Sequence, residues 1–101
     1  MTTAGDSNSV NLDGHICKDT VYRLTPLGRE ITDIILAVNR RHGTDYIPCV
    51  AWGRAARMTE RLNTGDFIQL SGRLQSRDYN KGVAYEVSII KITADRGSQR
   101  L

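Results

Sequence analysis

Between Asp66 and Tyr79 the side chains alternate in character: Ile68, Leu70, Gly72 and Leu74 fall on one parity, and Gln69, Ser71, Arg73, Gln75, Arg77 and Tyr79 on the other. A repeat of two residues is that of an extended strand with one face in a core and one in water. Gly72 breaks the apolar row midway, and a glycine inside a strand marks a bend or bulge. A long strand with a bend at its middle constrains the chain strongly, because its sheet must curl. A small barrel is the natural result.

The rest of the chain supplies the other staves. Val10, Leu12, Gly14 and Ile16 alternate with Asn11, Asp13 and His15, which predicts a half-buried strand. Val21 to Leu24 is a shorter extended piece, closed by the turn signal Thr25-Pro26-Leu27-Gly28. Glu30 to Asn39 is a strongly apolar strand, followed by a polar hairpin loop from Arg40 to Asp45. Tyr46 to Trp52 divides by parity into Ile47, Cys49 and Ala51 against Tyr46, Pro48, Val50 and Trp52. Pro48 lacks an N–H and is expected at an edge or bulge. Beyond Gly53, Arg54 to Leu62 predicts the one helix, with Ala55, Met58, Thr59 and Leu62 as its buried stripe. Asn63-Thr64-Gly65 ends it. Asn80-Lys81-Gly82 is a hairpin turn, and Val83 to Thr93 is the last strand. The expected fold is therefore all-β with one helix, a five-stranded Greek-key OB-fold barrel with the helix between the third and fourth barrel strands. A parallel α/β fold would need a helix after nearly every strand.

With 101 residues there is room for one domain. The expected organisation is a flexible N-terminal arm over 1–9, the barrel over 10–95 and a short polar tail over 96–101. No apolar run reaches the roughly 20 residues of a membrane span, and the polar start holds no signal core, so a cytoplasmic location is expected. Cys17 and Cys49 match no zinc or disulfide framework. His15 and Cys17 could share a strand face, but a structural zinc needs four ligands and no others lie near them in sequence. No nucleophile, metalloprotease or phosphate-loop motif occurs. Neither an enzyme nor a cofactor or metal site is expected.

The charge balance points elsewhere. Net charge is +3, and eleven of the fourteen cationic residues are arginine, whose planar fork suits phosphates and whose face stacks on bases. Binders of single strands combine such cations with flat aromatic platforms. Of the six aromatic residues, Tyr46 and Trp52 share one strand face, Tyr79 shares a face with Arg73 and Arg77, and Tyr22 adjoins Arg23. Trp52 has a second reading, as a packing residue under the helix. Phe67 and Tyr85 are read as structural, and Arg54, Arg57 and Arg61 as a solvated helix side.

Five motifs, in order, carry a resemblance. Tyr22-Arg23-Leu24-Thr25-Pro26-Leu27-Gly28, Leu36-Ala37-Val38-Asn39-Arg40-Arg41, Asp45-Tyr46-Ile47-Pro48-Cys49-Val50-Ala51-Trp52-Gly53-Arg54-Ala55-Ala56, Gly65-Asp66, and Gly72-Arg73-Leu74-Gln75-Ser76-Arg77-Asp78-Tyr79 together resemble the bacterial single-stranded DNA-binding protein family over about Val10 to Asp95. The resemblance implies an OB fold that assembles as a homo-oligomer, usually a tetramer, and wraps single-stranded DNA without sequence preference in replication, recombination or repair, at the bacterial nucleoid. Stacking positions carry over to Tyr46, Trp52 and Tyr79; basic positions carry over to Arg23, Arg40, Arg41, Arg73 and Arg77. A further stacking aromatic of the family has no counterpart, His42 being nearest. The hairpin loop is shorter than usual, and Pro48 replaces a polar residue on the expected binding face. The ending Asp95-Arg96-Gly97-Ser98-Gln99-Arg100-Leu101 is basic, unlike the acidic, phenylalanine-terminated tip through which the family recruits other replication proteins. The alternative is a dimeric, primosomal replication protein N-like assembly factor in helicase loading.

Overall fold

The computed structural model describes residues 5–95. Residues 1–4 of the expected arm and the expected tail over 96–101 lie outside the described residues. Six strands and one helix follow in order: β1 (Val10–Ile16), β2 (Val21–Leu24), β3 (Glu30–Arg40), β4 (Gly43–Trp52), α1 (Arg54–Thr59), β5 (Phe67–Tyr79) and β6 (Gly82–Asp95). The hydrogen-bonded order is β1-β5-β6-β4-β3-β2, and β1 also pairs with β3 through His15–Ala37 and Ile16–Leu36. That pairing closes β1, β3, β4, β6 and β5 into the five-stranded OB barrel, with β2 left as an extension on β3. β4 and β6 run parallel; the other pairs are antiparallel.

Closure depends on the glycine in β5. Ser71 pairs with Lys91 but Gly72 pairs with Ile89, so Ile90 is the extra residue of a bulge and stands 71% exposed. A Cβ at Gly72 would collide with the Ser88 carbonyl oxygen. The bend expected from the glycine is present, with the inserted residue on the facing strand. Pro48 is paired with Ile35 of β3, while the pairing of β4 with β6 begins only at Cys49. Its missing N–H thus faces the open side of β4, as an edge position requires.

The core is the inward parity of the strands: Ile16, Ile34, Leu36, Cys49, Ala51, Ile68, Leu70, Val87 and Ile89, closed by Ala56 and Leu62. The helix is shorter than expected and differently phased. It ends at Thr59 because the next turn tightens, with Arg61 and Leu62 N–H donating to Met58 and Thr59 carbonyls. Ala56, Thr59 and Leu62 are the buried residues, whereas Met58 is exposed. The Ala56 carbonyl fixes this phase, since it accepts both the Thr32 hydroxyl at 2.7 Å from the barrel wall and the Thr59 hydroxyl at 3.1 Å. A buried hydroxyl must find a partner, and the two threonines find the same one.

Both cysteines are free, Cys17 half-buried and Cys49 buried. Burial, with a smaller contribution from the charge of Glu86, pushes the Cys49 thiol up to about 12. At pH 8 it stays protonated, and only the thiolate is nucleophilic. Alkylation of the native protein at pH 8 should therefore label Cys17, and Cys49 only after unfolding; mass spectrometry of the labelled peptides checks this.

The two hairpins extend beyond the barrel. The β3–β4 turn contains just Arg41 and His42, tighter than the expected loop from Arg40 to Asp45, because an Arg40–Asp45 ion pair (2.9 Å) and a Thr44–Asn39 hydrogen bond (2.8 Å) continue the ladder. The β5–β6 turn falls at Asn80-Lys81 as expected, with Asn80 at φ 55°, a left-handed conformation that asparagine tolerates. Next to β5, Asn8 clamps the backbone of Leu74, donating to its carbonyl and accepting from its N–H.

Candidate nucleic-acid interface

Directly paired residues on neighbouring strands share a sheet face, so the register decides which side chains meet. Arg23 pairs with Ile31, and Ile31 with Trp52. Asp33 pairs with Val50, Val50 with Ser88, and Ser88 with Arg73. Two residues further along each strand, Gln75 pairs with Glu86, Arg77 with Ala84 and Tyr79 with Gly82, while Tyr46 pairs with Ala37. One outward face of β2, β3, β4, β6 and β5 therefore carries Arg23, Tyr46, Trp52, Arg73, Arg77 and Tyr79. Six of the nine expected site residues come together, from three strands, β2, β4 and β5.

The rings on this face are open to solvent: Tyr46 is 62% exposed, Tyr79 61% and Trp52 37%. Trp52 is not sealed beneath the helix. Its neighbours on the same face, Ile31 and Val50, are buried and form an apolar floor beside it. Arg29 places its guanidinium 5.6 Å from the Trp52 ring centre, within cation–π range. Arg29 leaves the Thr25–Gly28 turn, which is locked by Gly28 N–H to Thr25 O (2.8 Å) and Arg29 N–H to Thr25 Oγ1 (3.0 Å). Trp52 and Arg29 border an open cleft of about 680 Å³, lined also by Gly28, Glu30, Gly53, Arg57, Gln75 and Ser88.

Three expected residues are placed differently. Tyr22 pairs with Thr32, on the opposite side of the sheet from Arg23, where burial and the nearby Glu30 carboxylate raise its phenol pKa. Arg40 shares the side of Val38 and Asp45, again opposite Tyr46, and is paired with Asp45. Arg41 stands exposed in the turn. His15 meets the Phe67 ring edge-on at 5.2 Å, and no cluster of three metal-ligating side chains occurs among the described residues.

The arginines on the face differ in their pairing. Arg23 donates through Nε to Asp33 at 2.8 Å, and that contact raises its pKa. Arg77 lies 3.7 Å from Glu86, whose other oxygen accepts the Gln75 amide at 2.7 Å. Arg29, Arg41 and Arg73 make no ion pair among the described residues. Arg29, Gln75 and Glu86 were missed from sequence. The first is held over Trp52 by a turn, and the other two are joined only by the shifted register past the bulge.

Residues 7–99 match the single-strand binding protein family. The chain belongs to that family. Among curated members, it is 34% identical over 96 residues to the single-stranded DNA-binding protein of Clostridium tetani, covering 87% of this chain and 66% of the relative. It is 31% identical over 96 residues to single-stranded DNA-binding protein B of Bacillus subtilis, covering 87% and 85%. A crystal structure of a deletion mutant of the single-stranded DNA-binding protein from Thermus aquaticus superposes with a TM-score of 0.78 at 27% identity, covering 87% of this chain and 40% of that one. The chain thus spans less than two thirds of the first of these relatives and of the solved structure. This family membership agrees with the barrel fold. No described helix is long and apolar enough to cross a membrane.

Proposed function

We propose that this protein binds single-stranded DNA without sequence preference, laying unpaired bases on Tyr46, Trp52 and Tyr79 while arginines neutralise phosphates along the face. The observation that carries the reading is the convergence of those three exposed rings with Arg23, Arg73 and Arg77 on one side of the sheet. Stacking accepts any base, and arginine–phosphate contacts read no sequence, so the chemistry is general. The protein holds the strand without converting it, protecting it during replication, recombination or repair at the bacterial nucleoid. It acts as a homo-oligomer, with a tetramer as the expected form. Leu74, Val83, Tyr85 and Ile90 support assembly, since a lone subunit leaves these large apolar side chains in water. Sedimentation that found dimers alone would favour the primosomal replication protein N-like role.

Titration with oligothymidine at several salt concentrations tests the binding reading. Affinity should fall linearly on a log–log plot, by about 0.7 in slope for each phosphate neutralised on a single strand. Absence of binding even at low salt would overturn it. The pairing pattern adds a sharper expectation. Arg73→Ala removes an unpaired cation and should lower the slope by about 0.7, whereas Arg23→Ala removes one already balanced by Asp33 and should change it less.

A further inference from the structure

The cationic face has an anion on its floor. Glu86 lies on β6 directly opposite Gln75, and its side chain is only 14% exposed. One carboxylate oxygen accepts the Gln75 amide at 2.7 Å and the other faces Arg77 Nε at 3.7 Å. Its charge extends across the face to Arg23 on β2 and downward to Cys49 in the core. Asp33 shares that face but sits close to Arg23, whereas the Glu30 carboxylate lies by Tyr22 on the other parity and pairs with Arg57. Glu86 has its arginine at the longest of the four ion-pair distances, 3.7 Å, and lies on the face where a ligand would come to rest.

A surface selected for phosphate affinity alone would not keep a carboxylate there, because like charges at close range in a partly dry site repel strongly. We propose that Glu86 is a specificity-determining residue: it keeps phosphate off the centre of the face, so that a strand settles with its bases on the rings and its backbone along the arginine rim. The inference rests on the single-strand reading above and adds to it the rejection of polyanions that carry no bases. Gln75 contributes by holding the carboxylate in place. With its Nε2 committed to Glu86, Gln75, which helps to line the cleft beside Trp52, keeps its amide oxygen as an acceptor, a group suited to base N–H donors and not to phosphate.

The test compares oligothymidine with inorganic polyphosphate of similar charge on the intact protein. Wild type should prefer oligothymidine. Glu86→Gln keeps the shape and the Gln75 contact but removes the charge, and should raise polyphosphate affinity about tenfold, so that the ratio of oligothymidine to polyphosphate affinity falls. Glu86→Asp keeps the charge and should keep the wild-type ratio. An unchanged ratio in Glu86→Gln overturns the proposal. A collapsed ratio in both variants also overturns it, because packing rather than charge would then be responsible. Failure of wild type to bind oligothymidine would instead count against the single-strand reading itself, and the polyphosphate gain is read separately from that result.

Discussion

Trp52→Ala weakens oligothymidine binding by about 1–3 kcal/mol, the range found when one base loses its aromatic platform. The loss should lie toward the upper end, because the substitution removes two contacts at once. The indole is the proposed stacking surface, and the Arg29 guanidinium is held 5.6 Å from its centre. Without the ring, Arg29 loses its cation–π partner and its long side chain regains rotamer freedom. Folding should be affected much less, since the ring is part exposed and belongs to no part of the barrel core. Calorimetric titration of the variant, with thermal unfolding alongside, separates the two effects. Unchanged affinity in a folded variant would remove Trp52 from the site.

Gly72→Ala produces the largest expected loss of stability. The added methyl would be driven into the Ser88 carbonyl oxygen and against the Ile89 Cα, both backbone atoms of the paired strand. A flexible side chain could move aside; a strand at a barrel bulge cannot do so without breaking the β5–β6 ladder. Overpacking of this kind costs roughly 1–3 kcal/mol or more, and the backbone collision places it at the high end. Gly5→Ala, with nothing within 4 Å of its Cβ position, serves as the neutral comparison. Urea unfolding should give a clearly lower midpoint for Gly72→Ala and none of that loss for Gly5→Ala. Equal midpoints would mean that the close approach at Gly72 does not constrain the barrel.

These two positions also show how far the sequence could be read. Gly72 was visible as a bend because alternation on both sides of it left a single gap, and Trp52 and Tyr46 were placed on one face by parity within a single strand. What parity cannot supply is the register between strands. Gln75 and Glu86 meet only because the ladder slips at Ser71/Gly72, and nothing in either strand alone announces that slip. Val50 has the parity of the proposed face yet is buried, because β4 has partners on both sides there and Val50 lies between Asp33 and Ser88. Tyr22 adjoins Arg23 in sequence, but neighbours in a strand point to opposite faces, so proximity along the chain separated the two in space. The helix was placed correctly at its start, where Gly53 breaks the strand. Its end was missed because the decisive contact, Thr32 to the Ala56 carbonyl, joins residues from different elements.

The protein contains one tryptophan, and it stands on the proposed face, so its fluorescence reports the central claim without labels. Adding oligothymidine at low salt should quench Trp52 emission in a saturable way, and raising the salt should restore it. Tight, salt-sensitive binding measured independently by calorimetry, with Trp52 emission unchanged at saturation, would mean that the strand lies on some other surface.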